Sequence, residues 1–110
     1  MKNKKLFVTG TNTEVGKTYV TCEMLKHLVK SKKSTAAFKP VETGCNNKNR
    51  ILQPNDSKQF YEVLGKTLSL DLINPFRFIP PISPNRAIRL AKKNITLNDY
   101  CKKLNLLNTR

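Results

Sequence analysis

The chain has 110 residues, and its 21 Lys and Arg against 7 Asp and Glu give a formal net charge of +14 at pH 7. This length predicts one domain rather than two. No apolar stretch approaches the ~20 residues that a membrane-spanning helix needs, and the apolar segment after the basic residues 1–5 is too short for a signal peptide. The composition therefore favours a cytoplasmic location.

Cysteine usage agrees with that location. The three cysteines, Cys22, Cys45 and Cys101, are odd in number and show no C-x-x-C spacing. A disulfide framework or a zinc site requires paired or clustered cysteines. The pattern instead indicates reduced thiols in a reducing compartment.

The basic charge is spread along the whole chain. Lysines occur from Lys2 to Lys103, mostly singly or in pairs, and no run of five like charges is present. This spacing is typical of solvated surface lysines. Anionic small molecules and nucleic acid are the alternative partners that a basic chain suggests. Aromatic residues make up 7% of the chain, few for stacking on bases, and we expect no specific nucleic-acid partner and no membrane.

The first elements follow the order strand, loop, helix, strand. Residues 5–9 form a short apolar run that predicts a buried strand, and small and polar residues follow up to Gly16. Apolar residues at helical spacing then predict an amphipathic helix over residues 17–30. Residues 35–38 predict a second strand, which Lys39 and the following proline end.

Residues 41–55 contain Gly44 and several asparagines, and they predict a loop. A helical pattern follows. Asn55 or Asp56 is the predicted N-cap, and Gly65 is the predicted end of that helix.

Prolines force extended backbone over residues 74–84. Ser83 followed by a proline predicts the N-cap and first position of a helix that runs to about residue 92. Residues 96–99 resemble a capping box for a last helix over residues 97–106. Together the elements predict an α/β fold with a parallel sheet and flanking helices.

The loop between the first strand and the first helix predicts a phosphate site. Backbone N–H groups and the helix N-terminus attract anions there. Gly16 lets the backbone come close, Lys17 can reach the β- and γ-phosphates, and the Thr18 hydroxyl can coordinate Mg²⁺.

Two features of this loop are unusual. Five residues separate Gly10 from Gly16, whereas the common pattern has four. Glu14 places a carboxylate inside an anion-binding loop, which is electrostatically unfavourable without a neighbouring cation. We expect it either to face solvent or accept N–H bonds at the helix start, or to face a cationic part of the substrate.

Four segments together resemble one family, dethiobiotin synthetase. Residues 10–18 are similar to its G-T-x-T-x-V-G-K-T loop, and residues 38–44 to its K-P-V-x-[ST]-G segment. Residues 55–57 resemble its N-x-D or S-D element, and residues 73–84 its N-P-[YF]-x-[FL]-x-x-P-x-[SA]-P stretch. The resemblance extends from about residue 6 to residue 87. Asn85 departs from it, where the family commonly has histidine.

The resemblance implies a P-loop NTPase-like fold and a reaction. The family converts 7,8-diaminopelargonate, CO₂ and ATP to dethiobiotin, ADP and phosphate, with Mg²⁺. A carbamate of one amine takes the γ-phosphoryl group, and the second amine then closes the cyclic urea. The resemblance also implies a homodimer.

The resemblance implies roles for individual residues. Lys39 is the expected catalytic residue, stabilising the carbamate and the transferred phosphoryl group, and Thr43 is expected to bind substrate. Thr18 and Asp56 are the expected Mg²⁺ ligands. The expected ATP-binding residues are Glu14, Val15, Gly16, Lys17, Thr18, Tyr19 and Asp56.

Plainer interpretations exist for three of these residues. Lys39 is otherwise a surface lysine at a strand end, Thr43 a threonine capping a turn, and Asp56 a helix N-cap. For the whole chain the alternatives are a related P-loop amidoligase-type or regulatory domain, or a non-catalytic remnant.

The chain stops before the family's V-E-G-A-G-G segment, whose glutamate helps to hold Mg²⁺. Residues 1–110 are therefore expected to form the N-terminal half of such a domain, truncated before its central acidic strand. The two predicted strands would then lack the neighbour between them, and their edge groups would be unpaired. We expect the chain alone to aggregate or fold in part and to be inactive.

Overall fold

The computed structural model describes residues 4–10 and 16–108. Five helices and four short strands occur in these residues. In chain order they are α1 Lys17–Lys30, β1 Val41–Glu42, β2 Asn46–Lys48, β3 Ile51–Gln53, α2 Asn55–Val63, α3 Leu70–Ile73, β4 Phe76–Arg77, α4 Pro84–Leu90 and α5 Leu97–Asn108.

The first predicted helix is confirmed in position. α1 covers Lys17–Lys30, and its N-cap residue Gly16 has a φ of 88°, a left-handed conformation that glycine adopts without steric cost. The side chains that it buries are Cys22 and Leu25. Val20 and Val29 belong to the predicted apolar stripe, but they are 49% and 41% exposed.

The first predicted strand is wrong for the described residues. Residues 4–10 carry no strand assignment and all are exposed. Leu6 is 71% and Phe7 89% exposed. A strand requires a neighbour for its N–H and C=O groups, and within the described part of the chain none lies beside this segment.

The second predicted strand is displaced along the chain. Residues 35–38 are not in a strand, and pairing begins where it was expected to end. The Lys39 N–H donates to the Ile73 carbonyl at 2.8 Å, and β1 then pairs with β4 in parallel. The position of β1 along the chain is set by its partner strand β4, because the extended residues after Ile73 supply the backbone hydrogen bonds.

The predicted loop over residues 41–55 is also wrong, because it contains β1 and a hairpin. β2 and β3 pair antiparallel. Asn49 and Arg50 join them with φ values of 52° and 65°, as the two central residues of a type I′ turn require. Asparagine tolerates this conformation, but arginine gives no such signal in a sequence.

α2 begins near the predicted residue, but its N-cap is different. Pro54 occupies the N-cap position and provides no side-chain hydrogen bond, whereas Asn55 and Asp56 were the predicted caps. Both lie inside the first turn. The helix ends before Gly65, whose φ is 68°, as expected for glycine after a helix.

The later helices follow the predicted caps. Ser83 is the N-cap of α4, with proline at the first position, although α4 ends at Leu90 rather than about residue 92. At the start of α5, the Thr96 N–H donates to Asp99 Oδ2 at 2.8 Å and the Asp99 N–H donates to Thr96 Oγ1 at 3.3 Å. α5 ends at Asn108, two residues beyond its predicted end. The sequence patterns did not predict α3.

A small apolar core lies where α1, α2 and α3 meet. Its buried members are Cys22, Leu25, Ala37, Phe60, Leu64, Leu68 and Ile73. The predicted fold class is confirmed as an α/β fold, with a parallel strand pair flanked by helices. Within the described residues, no helix combines the length and the apolar character needed to cross a membrane.

Candidate active site

Lys39 and Asp56 form an ion pair between the β1 edge and the start of α2. Lys39 Nζ lies 2.6 Å from Asp56 Oδ2, and the two side chains are 34% and 36% exposed. Charge-assisted hydrogen bonds of this length are the stronger ones. The partial exposure leaves both groups accessible to a ligand, as catalytic and binding roles require.

Asn74 holds the backbone that carries Lys39. Its side chain is fully buried, and Asn74 Nδ2 donates to the Lys39 carbonyl at 2.7 Å and to the Phe76 carbonyl at 3.2 Å. Asn74 Oδ1 accepts from Arg77 Nε at 3.0 Å. The amide therefore joins the two parallel strands at the point where Lys39 projects.

Glu42 supplies the cap that Pro54 cannot. Glu42 Oε2 accepts from the Asp56 N–H at 2.9 Å, and Oε1 accepts from the Ser57 N–H at 3.0 Å and from Ser57 Oγ at 2.6 Å. The residue is 4% exposed. Its charge is balanced by the positive end of α2 and by Lys39 Nζ, 4.0 Å away.

Of the predicted phosphate loop, residues 10–18, the structure describes Gly10 and residues 16–18. Glu14 and Val15, two predicted ATP-binding residues, lie outside the described residues. Lys17 and Thr18 occupy the first turn of α1 and are half-buried, whereas Tyr19 is 70% exposed. α1 thus begins directly after Gly16, the glycine that the phosphate-loop motif requires.

α1 and α2 pack side by side, and an open groove of about 390 Å³ runs between them. Thr18 and Tyr19 line this groove at its α1 side. Asp56 lies close enough to α1 for its charge to add to the burial that raises the pKa of Cys22. Thr18 on α1 and Asp56 on α2 thus lie on two helices that pack together, and no hydrogen bond joins them among the described residues.

Thr43 follows β1 directly and is half-buried. The next residue, Gly44, has a φ of 69°, and a Cβ at that position would lie 3.4 Å from Pro81 Cβ. The Gly44 N–H donates to the Pro80 carbonyl at 3.2 Å. This hydrogen bond fixes the backbone directly after Thr43. Thr43 follows β1, and Lys39 precedes the same strand.

A divalent cation has few protein ligands in this region. The described residues contain no group of three His, Cys, Asp or Glu side chains arranged for a metal ion. Asp56 Oδ2 accepts from Lys39, and Oδ1 has no protein hydrogen-bond partner among the described residues. Mg²⁺ typically binds one or two carboxylates together with substrate phosphates and water, so Asp56 with Thr18 fits this ion only in company with a nucleotide.

The buried thiols are poor nucleophiles, although Cys22 lines the groove between α1 and α2. Burial raises the pKa of Cys22 and of Cys45, which lowers the fraction of reactive thiolate. All three cysteines are free, as predicted.

The comparison with family models defines the class of this chain. An AAA domain model matches residues 4–109, so the chain belongs to the AAA domain family, a class of P-loop proteins. The matched residues include the predicted phosphate loop, Lys39 and Asp56.

Individual relatives agree with the resemblance stated from the motifs, and the predicted family is confirmed. The ATP-dependent dethiobiotin synthetase of Thermodesulfovibrio yellowstonii is 40% identical over 91 residues, covering 83% of this chain and 38% of the relative. That of Pseudoalteromonas translucida is 40% identical over 93 residues, covering 84% and 41%. That of Legionella pneumophila (strain Paris) is 37% identical over 106 residues, covering 94% and 47%. The chain thus spans less than half the length of these relatives.

Sequence reasoning missed two residues of this site. Glu42 lies in the segment 38–44 and Asn74 in the segment 73–84, but the motifs give neither residue a role. A proline at a helix start signals that a capping group must come from elsewhere, but the sequence does not indicate which carboxylate supplies it. Burial of Asn74 depends on pairing between segments 35 residues apart.

Proposed function

We propose that this chain binds ATP with Mg²⁺ and contributes the phosphoryl-transfer side of a dethiobiotin synthetase site. The observation that carries this proposal is the 2.6 Å contact between Lys39 Nζ and Asp56 Oδ2, next to the helix that opens with Gly16 and Lys17. A cation and a carboxylate at one edge provide the charge neutralisation and the oxygen ligand that phosphoryl transfer requires.

ATP phosphates are proposed to bind at the start of α1. Gly16 is left-handed at the N-cap, and the helix dipole favours anions there. Lys17 supplies a positive charge for the β- and γ-phosphates, and Tyr19 is exposed in the same first turn of α1. Glu14 and Val15 complete the proposed ATP-binding set by resemblance.

Mg²⁺, when bound, would be held by Thr18 Oγ1 and an Asp56 carboxylate oxygen, and it would neutralise phosphate charge. Asp56 Oδ1 accepts no hydrogen bond from the described residues, which supports this assignment, because Lys39 already occupies Oδ2. A carboxylate offers acceptor sites on both oxygens, so Asp56 can serve the lysine and a cation together.

Lys39 is proposed to act on the reacting groups. Its ammonium favours negative charge on the carbamate of diaminopelargonate and on the transferred phosphoryl group. Thr43, on the same strand edge, is proposed to hydrogen-bond the substrate. The resemblance also supports a homodimer in the cytoplasm as part of this proposal.

Calorimetry of ATP binding tests the nucleotide part. We expect saturable, Mg²⁺-dependent binding to the chain and a loss of about tenfold or more in affinity for Lys17→Ala, since a charged hydrogen bond contributes about 1.5–3 kcal/mol. Lys30→Ala is the matched control, because it removes an exposed lysine from the other end of the same helix. Equal losses in the two variants would contradict the proposed phosphate site.

The substrate part requires a separate assay. Binding of 7,8-diaminopelargonate in bicarbonate buffer is expected to strengthen when ATP is present, and Lys39→Ala is expected to remove that coupling. ATP binding without any response to diaminopelargonate would instead support a related P-loop domain with another substrate.

A further inference from the structure

We propose that Glu42 is a positioning residue, which holds Lys39 and Asp56 together by capping α2 from the neighbouring strand. The proposal deepens the proposed function, but its structural part stands independently of nucleotide binding. It begins from the helix itself. The first N–H groups of a helix have no partner within it, and Pro54 at the N-cap position offers no side-chain acceptor.

Glu42 satisfies these donors with both of its carboxylate oxygens. One oxygen accepts from the Asp56 N–H and the other from the Ser57 N–H and Oγ, at 2.6 to 3.0 Å. Ser57 is completely buried, so water does not replace the carboxylate. A buried unsatisfied donor carries the full cost of desolvation, and the first turn of α2 therefore depends on Glu42.

The Glu42 carboxylate also fixes Lys39, the ion-pair partner of Asp56. Glu42 lies three residues after Lys39, and its Oε1 is 4.0 Å from Lys39 Nζ. The lysine thus lies between two carboxylates, and only that of Asp56 is partly exposed. Glu42 uses its oxygens on the helix, which leaves Asp56 as the carboxylate available to a ligand.

The Glu42 cap links β1 to α2. β1 carries Glu42 and follows Lys39 by two residues, and α2 carries Asp56. Neither sheet pairing nor the α1–α2 contact sets the distance between Lys39 and Asp56 directly. The Glu42 cap does so, because it joins the strand end to the backbone N–H of Asp56 itself.

The test uses the 110-residue chain with Glu42→Gln, Glu42→Ala and a matched control. Glutamine keeps the size and one acceptor oxygen, so we expect this variant to stay folded while it loses the charge and the second acceptor. Asp99→Asn is the control, because Asp99 also caps a helix with its carboxylate but does so at α5. The readouts are amide hydrogen exchange at Asp56 and Ser57, the ¹⁵N signal of the Lys39 ammonium, and the affinity for ATP with Mg²⁺.

We expect exchange at Asp56 and Ser57 to accelerate about tenfold in Glu42→Ala, as for a lost helix cap, and by less in Glu42→Gln. The Lys39 ammonium signal is expected to broaden and move in both variants, since the pair with Asp56 loosens. Affinity for ATP with Mg²⁺ is expected to fall several-fold, and without Mg²⁺ to change little. Asp99→Asn is expected to leave all three readouts unchanged.

Two results would overturn the proposal. Unchanged exchange at Asp56 and Ser57 would show that Glu42 does not cap α2. Faster exchange with an unchanged Lys39 signal would show that Glu42 caps α2 but does not hold Lys39 and Asp56 together. If the unsubstituted chain binds no ATP, the proposed function fails, but the exchange and the Lys39 signal still decide the role of Glu42.

Discussion

Two segments at or next to the two predicted strands differ sharply in the structure. Residues 39–45 are joined to residues 73–80 by backbone hydrogen bonds and by the buried Asn74 amide. Residues 4–10 are exposed and have no strand neighbour in the described part of the chain. Apolar composition alone therefore does not make a strand, because each strand also needs a partner for its backbone groups.

The difference also separates two kinds of apolar side chain. Ile73 is completely buried beside the paired strands, whereas Phe7 in the unpaired segment is 89% exposed. Burial of apolar area stabilises the fold. We therefore expect Ile73 to contribute much more to the free energy of unfolding than Phe7.

Substitutions in the two segments give the largest expected contrast. Ile73→Ala is expected to lower the free energy of unfolding by about 3 kcal/mol, because it leaves a cavity in the core. Phe7→Ala is expected to change it by less than about 0.5 kcal/mol. Urea unfolding followed by circular dichroism measures both. A comparable loss in the two variants would show that residues 4–10 are packed in solution.

The buried amide provides the second test. Asn74→Ala is expected to cost about 2 kcal/mol, because the Lys39 and Phe76 carbonyls and the Arg77 guanidinium lose a buried partner. The matched control is Asn98→Ala, at an exposed position of α5, for which we expect a change within about 0.5 kcal/mol. The same urea titration serves for both. An effect of Asn74→Ala no larger than that of the control would mean that Asn74 does not fix the paired strands.

Cysteine reactivity sharpens the comparison between packed and exposed positions. Cys22 and Cys45 are buried, whereas Cys101 is exposed. Burial raises the pKa of the first two thiols, so labelling at pH 8 is expected to be at least about tenfold slower there. Mass spectrometry of the labelled peptides measures the three rates. Rapid labelling of Cys22 would place the α1–α2 contact in doubt.

The smallest expected effect concerns the exposed cap at the start of α5. Hydrogen bonds from the Thr96 N–H and hydroxyl lower the pKa of Asp99 below its ordinary value of 3.8. A lowered folded-state pKa means that the cap contributes stability above about pH 3.8 and loses it as the pH falls through the folded-state value. NMR shifts of Thr96 and Asp99 below pH 4 measure this. A similar transition in Asp99→Asn would exclude Asp99 as its source.

The elements that local signals determine were predictable. α1 follows a glycine and carries a helical stripe, and α4 and α5 begin at the predicted Ser83 and Thr96 caps. The strand positions were not predictable, because their register is set by pairing between distant segments. The turn at Asn49 and Arg50 was missed because arginine seldom signals a left-handed conformation.

The ion pair at the candidate site was not predictable from the sequence, although the motifs point to both of its residues. The motifs brought attention to Lys39 and Asp56, and the structure places their side chains in contact. The residues that hold them, Glu42 and Asn74, depend on burial and on contacts across the fold. Such roles follow from three-dimensional packing, which residue type and local spacing do not encode.

An ATP titration followed by amide NMR tests the central claim most directly, namely that the paired segment and the start of α1 form one nucleotide site. With Mg²⁺ present, we expect saturable shifts at residues 16–19, Lys39 and Asp56. Residues 4–8 and the lysine-rich residues 92–103 are expected to remain unaffected. The claim would be contradicted by shifts that spread over the basic surface and disappear with added salt. Such shifts would show only generic attraction between ATP and a chain of net charge +14.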